Sequence, residues 1–303
     1  MGILQITLFG GVHVTLNNWL TEEKITRDIQ ALLSYFLLQR HRTHSRETLA
    51  GLFWGDNSQE KARGSLNTAL WRLKKALEPK GIPRGTYLNA RPGEVGFNKE
   101  SQYWLDVEVF ENAINRILKS SFKTIEEPQV VELENTLKLY KGDLLEGFFD
   151  DWALREREKF RSLYEKCLFY LLQYYGFQGA YDKAIAYGQH ILELDPLRER
   201  IHREMMKLYI DNGQRTKALR QYDICRYMLA TEFGVAPMEE TQALYTYIMT
   251  RSSRQLLPII SEGRVSVDQA LGQLREADKA IDHIKEQIQH TIQLISNYSE
   301  HLE

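Results

Sequence analysis

The sequence predicts a mainly α protein whose N-terminal residues 1–100 form a smaller α/β unit. Three observations carry that prediction. Apolar residues recur at three- and four-residue steps along most of the chain, the spacing of one helix face. Short alternating, β-branched runs fall within residues 1–100. A set of glycine, lysine and alanine positions recurs after 34 residues in the middle of the chain, the period of stacked helix pairs. At 43% hydrophobic and 26% charged residues the composition is that of an ordinary folded protein, and 303 residues suffice for more than one core.

The N-terminal elements follow in order. "ILQITLF" and "VHVTL" read as two strands joined at Gly10-Gly11. A helix over about Thr26–Gln39 places Ile29, Leu32, Leu33, Phe36 and Leu37 on one side. In "HSRETLAGLFWGD", Ser45 is an N-cap ahead of a short apolar face of Leu49, Leu52 and Phe53. The third helix, Glu60–Leu77, stops at Pro79 and carries the stripe Ala62, Leu66, Ala69, Leu70, Leu73 and Leu77. Tyr87-Leu88 and Val95-Gly96-Phe97 then flank the turn Arg91-Pro92-Gly93-Glu94 as a hairpin. Three helices followed by a hairpin is the layout of a winged helix-turn-helix.

The third helix has a second face. Lys61, Gly64, Ser65, Thr68, Trp71, Arg72 and Lys75 point away from the leucines. A merely solvated helix would also turn charges outward. The hairpin and the charge distribution favour DNA: residues 1–98 carry 13 Lys/Arg against 8 Asp/Glu, and the remainder 26 against 33. Ser65, Thr68, Trp71 and Arg72 suit groove contacts, because Arg pairs bidentately with guanine and Thr can touch a thymine methyl. Trp71 would equally suit covering a neighbouring surface. Lys61 and Lys75 suit phosphates, and Arg91 at the hairpin tip suits the backbone or the minor groove.

The later segment is helical. Gly179, Lys183, Ala184 and Ile185 recur as Gly213, Lys217, Ala218 and Leu219, and Tyr175 recurs as Tyr209. This is a tetratricopeptide-like period. Two copies are too few for a stack, so helices between about Val107 and Gln178 should extend it. "SSRQLLPIISEGRVS" reads as a connector. From Val267 a heptad places Val267, Leu274, Ile281, Ile288, Ile295 and Leu302 at one position, and Ala270, Ala277, Ile284, Thr291 and Tyr298 at the other. That long C-terminal helix fits a homodimer through residues 266–302, or a cap on the chain's own repeat stack. The division is residues 1–100, 101–250 and 251–303.

The N-terminal strands, "HSRETLAGLFWGD" and "ARGSLNTALWRLKKAL" resemble the OmpR-type winged-helix domain, in the version found in Streptomyces antibiotic regulatory proteins. "WLDVEVFENAI", "LYKGDLLEGFFDDWALREREKF", "DPLRERIHREMMKLYIDNGQRTKALRQYDICRYMLATEFGVAP" and "ETQALYTYI" resemble the bacterial transcriptional activator domain of that family. The likeness runs over about residues 3–248, and the joint order of the motifs is its specific part. It implies phosphate contacts by Arg46 and Trp54, with Ser45 capping the same helix so that its N-terminal amides face phosphate. Trp54 also reads as a half-buried core aromatic. Arg63 completes the DNA-facing set. The resemblance further implies a regulator, of activator type, that binds direct repeats in double-stranded promoter DNA and recruits RNA polymerase.

Other chemistries lack their signatures. No Gly-Lys-Ser/Thr phosphate loop and no G-x-S-x-G elbow occurs. His41 and His44 have no Cys or carboxylate companions and read as surface-loop residues, so no metal or cofactor is expected. Asp150-Asp151 beside Trp152 reads as structural. Cys167 and Cys225 read as buried free thiols, which fits a cytoplasmic location. Neither a signal peptide nor an apolar run long enough for a bilayer is seen. Two rivals remain: a helical-repeat interaction scaffold with a degenerate winged-helix domain, which predicts no salt-sensitive DNA affinity, and an enzyme on the helical part, which predicts a pocket with perturbed titratable groups.

Overall fold

The computed structural model describes residues 3–16, 19–20 and 25–255. The opening runs pair as antiparallel strands β1 (Leu4–Thr7) and β2 (His13–Leu16), continued by β3 (Trp19–Leu20). Leu4, Ile6, Val14 and Leu16 alternate inward and are buried.

The three predicted helices are α1 (Arg27–Leu38), α2 (Arg46–Trp54) and α3 (Gln59–Leu77). All six stripe residues of α3 are buried, and α1 buries its five expected apolar residues. The hairpin is β5 (Leu88–Arg91) with β6 (Glu94–Phe97), and β4 (His44–Ser45) adds to it in the order β4-β6-β5. Gly93, at φ 81°, makes the turn after Pro92. Gly96 is dictated by space: a Cβ there would lie 3.1 Å from the Arg42 carbonyl oxygen and 3.3 Å from Thr43 Cα. Three helices followed by a hairpin is thus the observed order, the layout expected of a winged helix-turn-helix. A fourth strand then closes the first sheet from far along the chain. β7 (Tyr103–Leu105) lies parallel to β1, with Leu4 opposite Tyr103 and Ile6 opposite Leu105, giving the order β3-β2-β1-β7.

Two carboxylates lock the connections. Glu78, the C-cap of α3, accepts from the backbone N–H groups of Gly85 (3.0 Å), Tyr87 (3.0 Å) and Leu88 (3.2 Å), fixing the path from α3 into the hairpin. Asp106, the first residue of α4 (Asp106–Ile117), accepts from Leu8 (2.8 Å), Phe9 (3.0 Å) and Val107 (2.7 Å). Burial raises the Asp106 carboxyl above its ordinary pKa, against the opposing pull of these amides.

The helical part continues through α5 (Glu127–Leu137), α6 (Asp151–Phe177), α7 (Tyr181–Leu194), α8 (Glu199–Asp211), α9 (Arg215–Phe233) and α10 (Glu239–Gln255). The 34-residue recurrence has a backbone cause. Gly179 and Gly213 end α6 and α8 in the left-handed region, at φ 73° and 71°. The next residue donates back five positions in both copies, Ala180 to the Tyr175 carbonyl (2.9 Å) and Gln214 to that of Tyr209 (2.7 Å). Lys183 and Lys217 then lie over the rings of those same tyrosines. Ala184 and Ala218 are fully buried at the helix crossings. Cys167 and Cys225 are free and buried, and burial pushes their thiols up to about 12 and about 11.

The α1–α2 layer packs on α4 and α6. Trp152 of α6 meets Tyr35 and Phe53 edge-on at 5.4 and 5.9 Å. Gln39 donates to Glu156 (2.9 Å), and buried Arg40 pairs with Glu108 (3.0 Å). All of this falls in one unit, Met1–Met249. The predicted heptad and C-terminal long helix, at residues 266–302, lie outside the described residues.

Candidate nucleic-acid interface

Because α3 buries its leucine stripe, its remaining side chains have nowhere to go but outward. Lys61, Arg63, Thr68, Trp71, Arg72 and Lys75 are exposed, and Ser65 is half-buried. Trp71 is 60% exposed, and Lys75 Nζ sits 5.0 Å from its ring centroid, so the two side chains steady each other. Thr68 Oγ1 donates to the Gly64 carbonyl at 3.0 Å, one turn back along the helix. Arg63 pairs with Glu47 of α2, which draws it to the flank of the helix.

The N-terminus of α2 joins the same region. Ser45 Oγ accepts from the Glu47 N–H (3.2 Å), as an N-cap should. Arg46 donates its backbone N–H to the Gly93 carbonyl (3.0 Å) and its guanidinium to Asn67 Oδ1 of α3 (2.9 Å). One residue thus ties α2, α3 and the hairpin turn together. Arg91 is exposed at the end of β5, opposite Glu94. Trp54 is half-buried with its ring tilted against Phe53 at 5.8 Å. Trp54, Lys61, Gly64, Ser65, Thr68 and Arg72 line a notch of about 480 Å³, with Asp28 and Ile29 of α1 on its other side.

Two features differ from the sequence reading or escaped it. His44 is no surface residue: it is buried in β4, with its ring 5.0 Å from that of Tyr35 and 6.0 Å from that of Phe36. Burial and the charge of Arg42 lower its pKa. The role of Asn67 depends on α2 crossing α3, and its only sequence signal is its position on the outward side. Asp150 is the N-cap residue of α6 and Asp151 lies in the first turn, both exposed where a helix favours negative charge. Tyr140, Tyr164, Tyr175 and Tyr187, whose pKa values burial raises, stack within the packed helical part. Among the described residues no cluster of three or more His, Cys, Asp or Glu could hold a metal, and no helix is long and apolar enough to cross a membrane.

Residues 105–249 match the family profile of the bacterial transcriptional activator domain. The chain is 23% identical over 287 residues to transcriptional regulatory protein MoaR1 of Mycobacterium tuberculosis, covering 92% of this chain and 91% of that protein. It is 26% identical over 220 residues to regulatory protein AfsR of Streptomyces coelicolor, covering 73% of this chain but 22% of AfsR. In fold it is similar to a solved structure of Mycobacterium tuberculosis EmbR in complex with a low-affinity phosphopeptide, at TM-score 0.68 and 19% identity, covering 83% of this chain and 66% of that one. The fold and these relatives define a transcriptional regulator built on a bacterial transcriptional activator domain. Within that class, the chain is similar to the Streptomyces antibiotic regulatory proteins.

Proposed function

We propose that this regulator binds specific double-stranded promoter DNA through α3 and acts as an activator that recruits RNA polymerase. The observation that carries the reading is the outward face of α3, where Lys61, Thr68, Trp71, Arg72 and Lys75 are exposed in front of a buried leucine stripe. In this reading α3 enters the major groove. Ser65, Thr68, Trp71 and Arg72 read base edges, and Lys61, Arg63 and Lys75 neutralise phosphates. Arg46 holds phosphate at the N-terminal side of α2, whose cap is Ser45, Trp54 holds phosphate from the other end of that helix, and Arg91 reaches the backbone or minor groove from the hairpin. The helical domain offers its surfaces to the polymerase, and the protein works in the cytoplasm. A homodimer through the heptad at residues 266–302 would suit paired half-sites, since linking two reading heads raises their effective concentration.

The test is selection of duplexes from a randomised pool by the full chain, followed by affinity measurements across salt concentrations. With four phosphates neutralised, the log–log slope against salt should be about −3.6. A pool that yields no enriched sequence, or an affinity indifferent to salt, would refute the reading and leave the scaffold alternative.

A further inference from the structure

Gly64 stands at the centre of the outward face of α3. At about 100° per residue it lies almost opposite the mean direction of the buried stripe, nearer that axis than Lys61, Thr68 or Arg72. Among the described residues, nothing explains a glycine there. Its φ is not in the left-handed region, and beyond the helix's own adjacent backbone an added Cβ would meet no heavy atom of the described residues within 4 Å. A glycine in a helix interior is less favourable than alanine. Gly188 on α7 shows the contrast: a Cβ there would fall 2.2 Å from Met205 Sδ, so any side chain would force the buried Met205 to shift. Gly51 on α2 is as open as Gly64, but it does not line the notch beside α3.

We propose that Gly64 is a specificity-determining gap, an inference that rests on the DNA-binding reading above. Without a side chain at this point, a base edge in the major groove can close onto the backbone of α3 between Lys61 and Thr68. The Thr68 hydroxyl already donates to the Gly64 carbonyl, so its donor is not offered to the base. The gap therefore selects by shape and apolar contact, which among major-groove features matches the C5-methyl group of thymine. Alanine would place its methyl where that group sits.

The experiment uses the full chain and a duplex selected by the wild type from a randomised pool. Wild type, Gly64→Ala and Gly51→Ala are compared by fluorescence anisotropy and thermal melting. Both alanine variants should melt about 1–4 °C higher, because each removes a helix-interior glycine. Gly64→Ala alone should bind the duplex roughly tenfold or more weakly, the discrimination carried by one good base contact. Replacing the contacted thymine with uracil should weaken the wild type and leave Gly64→Ala unchanged. Wild-type affinity in Gly64→Ala overturns the gap while leaving the DNA reading intact. An equal loss in Gly51→Ala also overturns it, by assigning the effect to helix stiffness. A wild type that enriches no duplex overturns the DNA reading, and the gap with it.

Discussion

Glu78 sits where a carboxylate should be unwelcome. It caps the C-terminal end of α3, and the helix dipole disfavours a negative charge there by about 0.3–1 kcal/mol. Three backbone donors, Gly85, Tyr87 and Leu88, outweigh that, and the side chain is only 1% exposed. In Glu78→Ala, the amides of buried Tyr87 and Leu88 lose their acceptor at about 1–3 kcal/mol each, while water can reach that of half-buried Gly85. Allowing for the relieved dipole, the net loss is about 2–5 kcal/mol. Glu78→Gln keeps an oxygen for Tyr87 and Leu88 but turns an NH₂ toward the Gly85 N–H, a loss of about 1–2 kcal/mol. Against a total stability of about 5–15 kcal/mol these are readily measured. Urea unfolding followed by circular dichroism and tryptophan fluorescence should show a lower midpoint at unchanged slope, in the order wild type, Gln, Ala. Glu78→Ala within about 0.5 kcal/mol of wild type, or equal effects of Gln and Ala, would refute the view that this carboxylate holds the hairpin to α3.

Arg72→Ala should weaken binding to the selected duplex by roughly 1–3 kcal/mol with no change in melting temperature; undiminished affinity removes Arg72 from the interface. Gly188→Ala should lower stability by about 1–3 kcal/mol through overpacking against Met205, measured by urea midpoint. Trp152→Ala should cost about 3–5 kcal/mol, since its ring fills the space between Tyr35, Phe53 and α6. His202 is held neutral: Gln221 donates to its Nδ1 (2.6 Å), and its Nε2–H donates to the Pro196 carbonyl (2.9 Å). Burial lowers its pKa below 6.5, so as pH falls below that value the unfolded chain takes up the proton first. Its contribution is full above pH 6.5 and lost on acidification. The urea midpoint should therefore drop between pH 7.5 and 5.5, and drop less in His202→Gln; buried His44 supplies a residual slope of the same sign.

What the sequence made legible was whatever rests on local chemistry. The stripe of α3 is a period, the hairpin is a Pro-Gly turn, and the repeat is visible because two helices each end on a glycine that must adopt positive φ. What it hid are contacts between residues that meet only in space. Glu78 reads as one more charge near a helix end, yet it organises three amides on the path into the hairpin. Arg46 is readable as a phosphate ligand, but its orientation by Asn67 requires the α2–α3 crossing. Arg63 has helix spacing that allows an outward position, and Glu47 draws it aside. His44 reads as a loop residue because the rings of Tyr35 and Phe36 that enclose it come from the preceding helix. The parallel β7–β1 pair has no local signal at all, since "YWL" is too short to declare itself a strand.

That last pairing gives the protein an order of assembly. Leu8 and Asp106 are 98 residues apart in the chain, so β1 cannot find β7 until the whole helix-and-hairpin unit between them has been made. At about 5–20 residues per second on a ribosome, the first strand emerges roughly 5–20 s before its last neighbour. During that interval β2 covers one side of β1 and the other side is bare, open to pairing with the same strand of another nascent chain. The three-helix and hairpin unit is in effect a long loop pinned at both ends by one sheet and by the Asp106 clamp. A fragment cut after residue 100 keeps the three helices and the hairpin but leaves that strand unpaired. It should aggregate where a fragment extended through α4 stays monomeric.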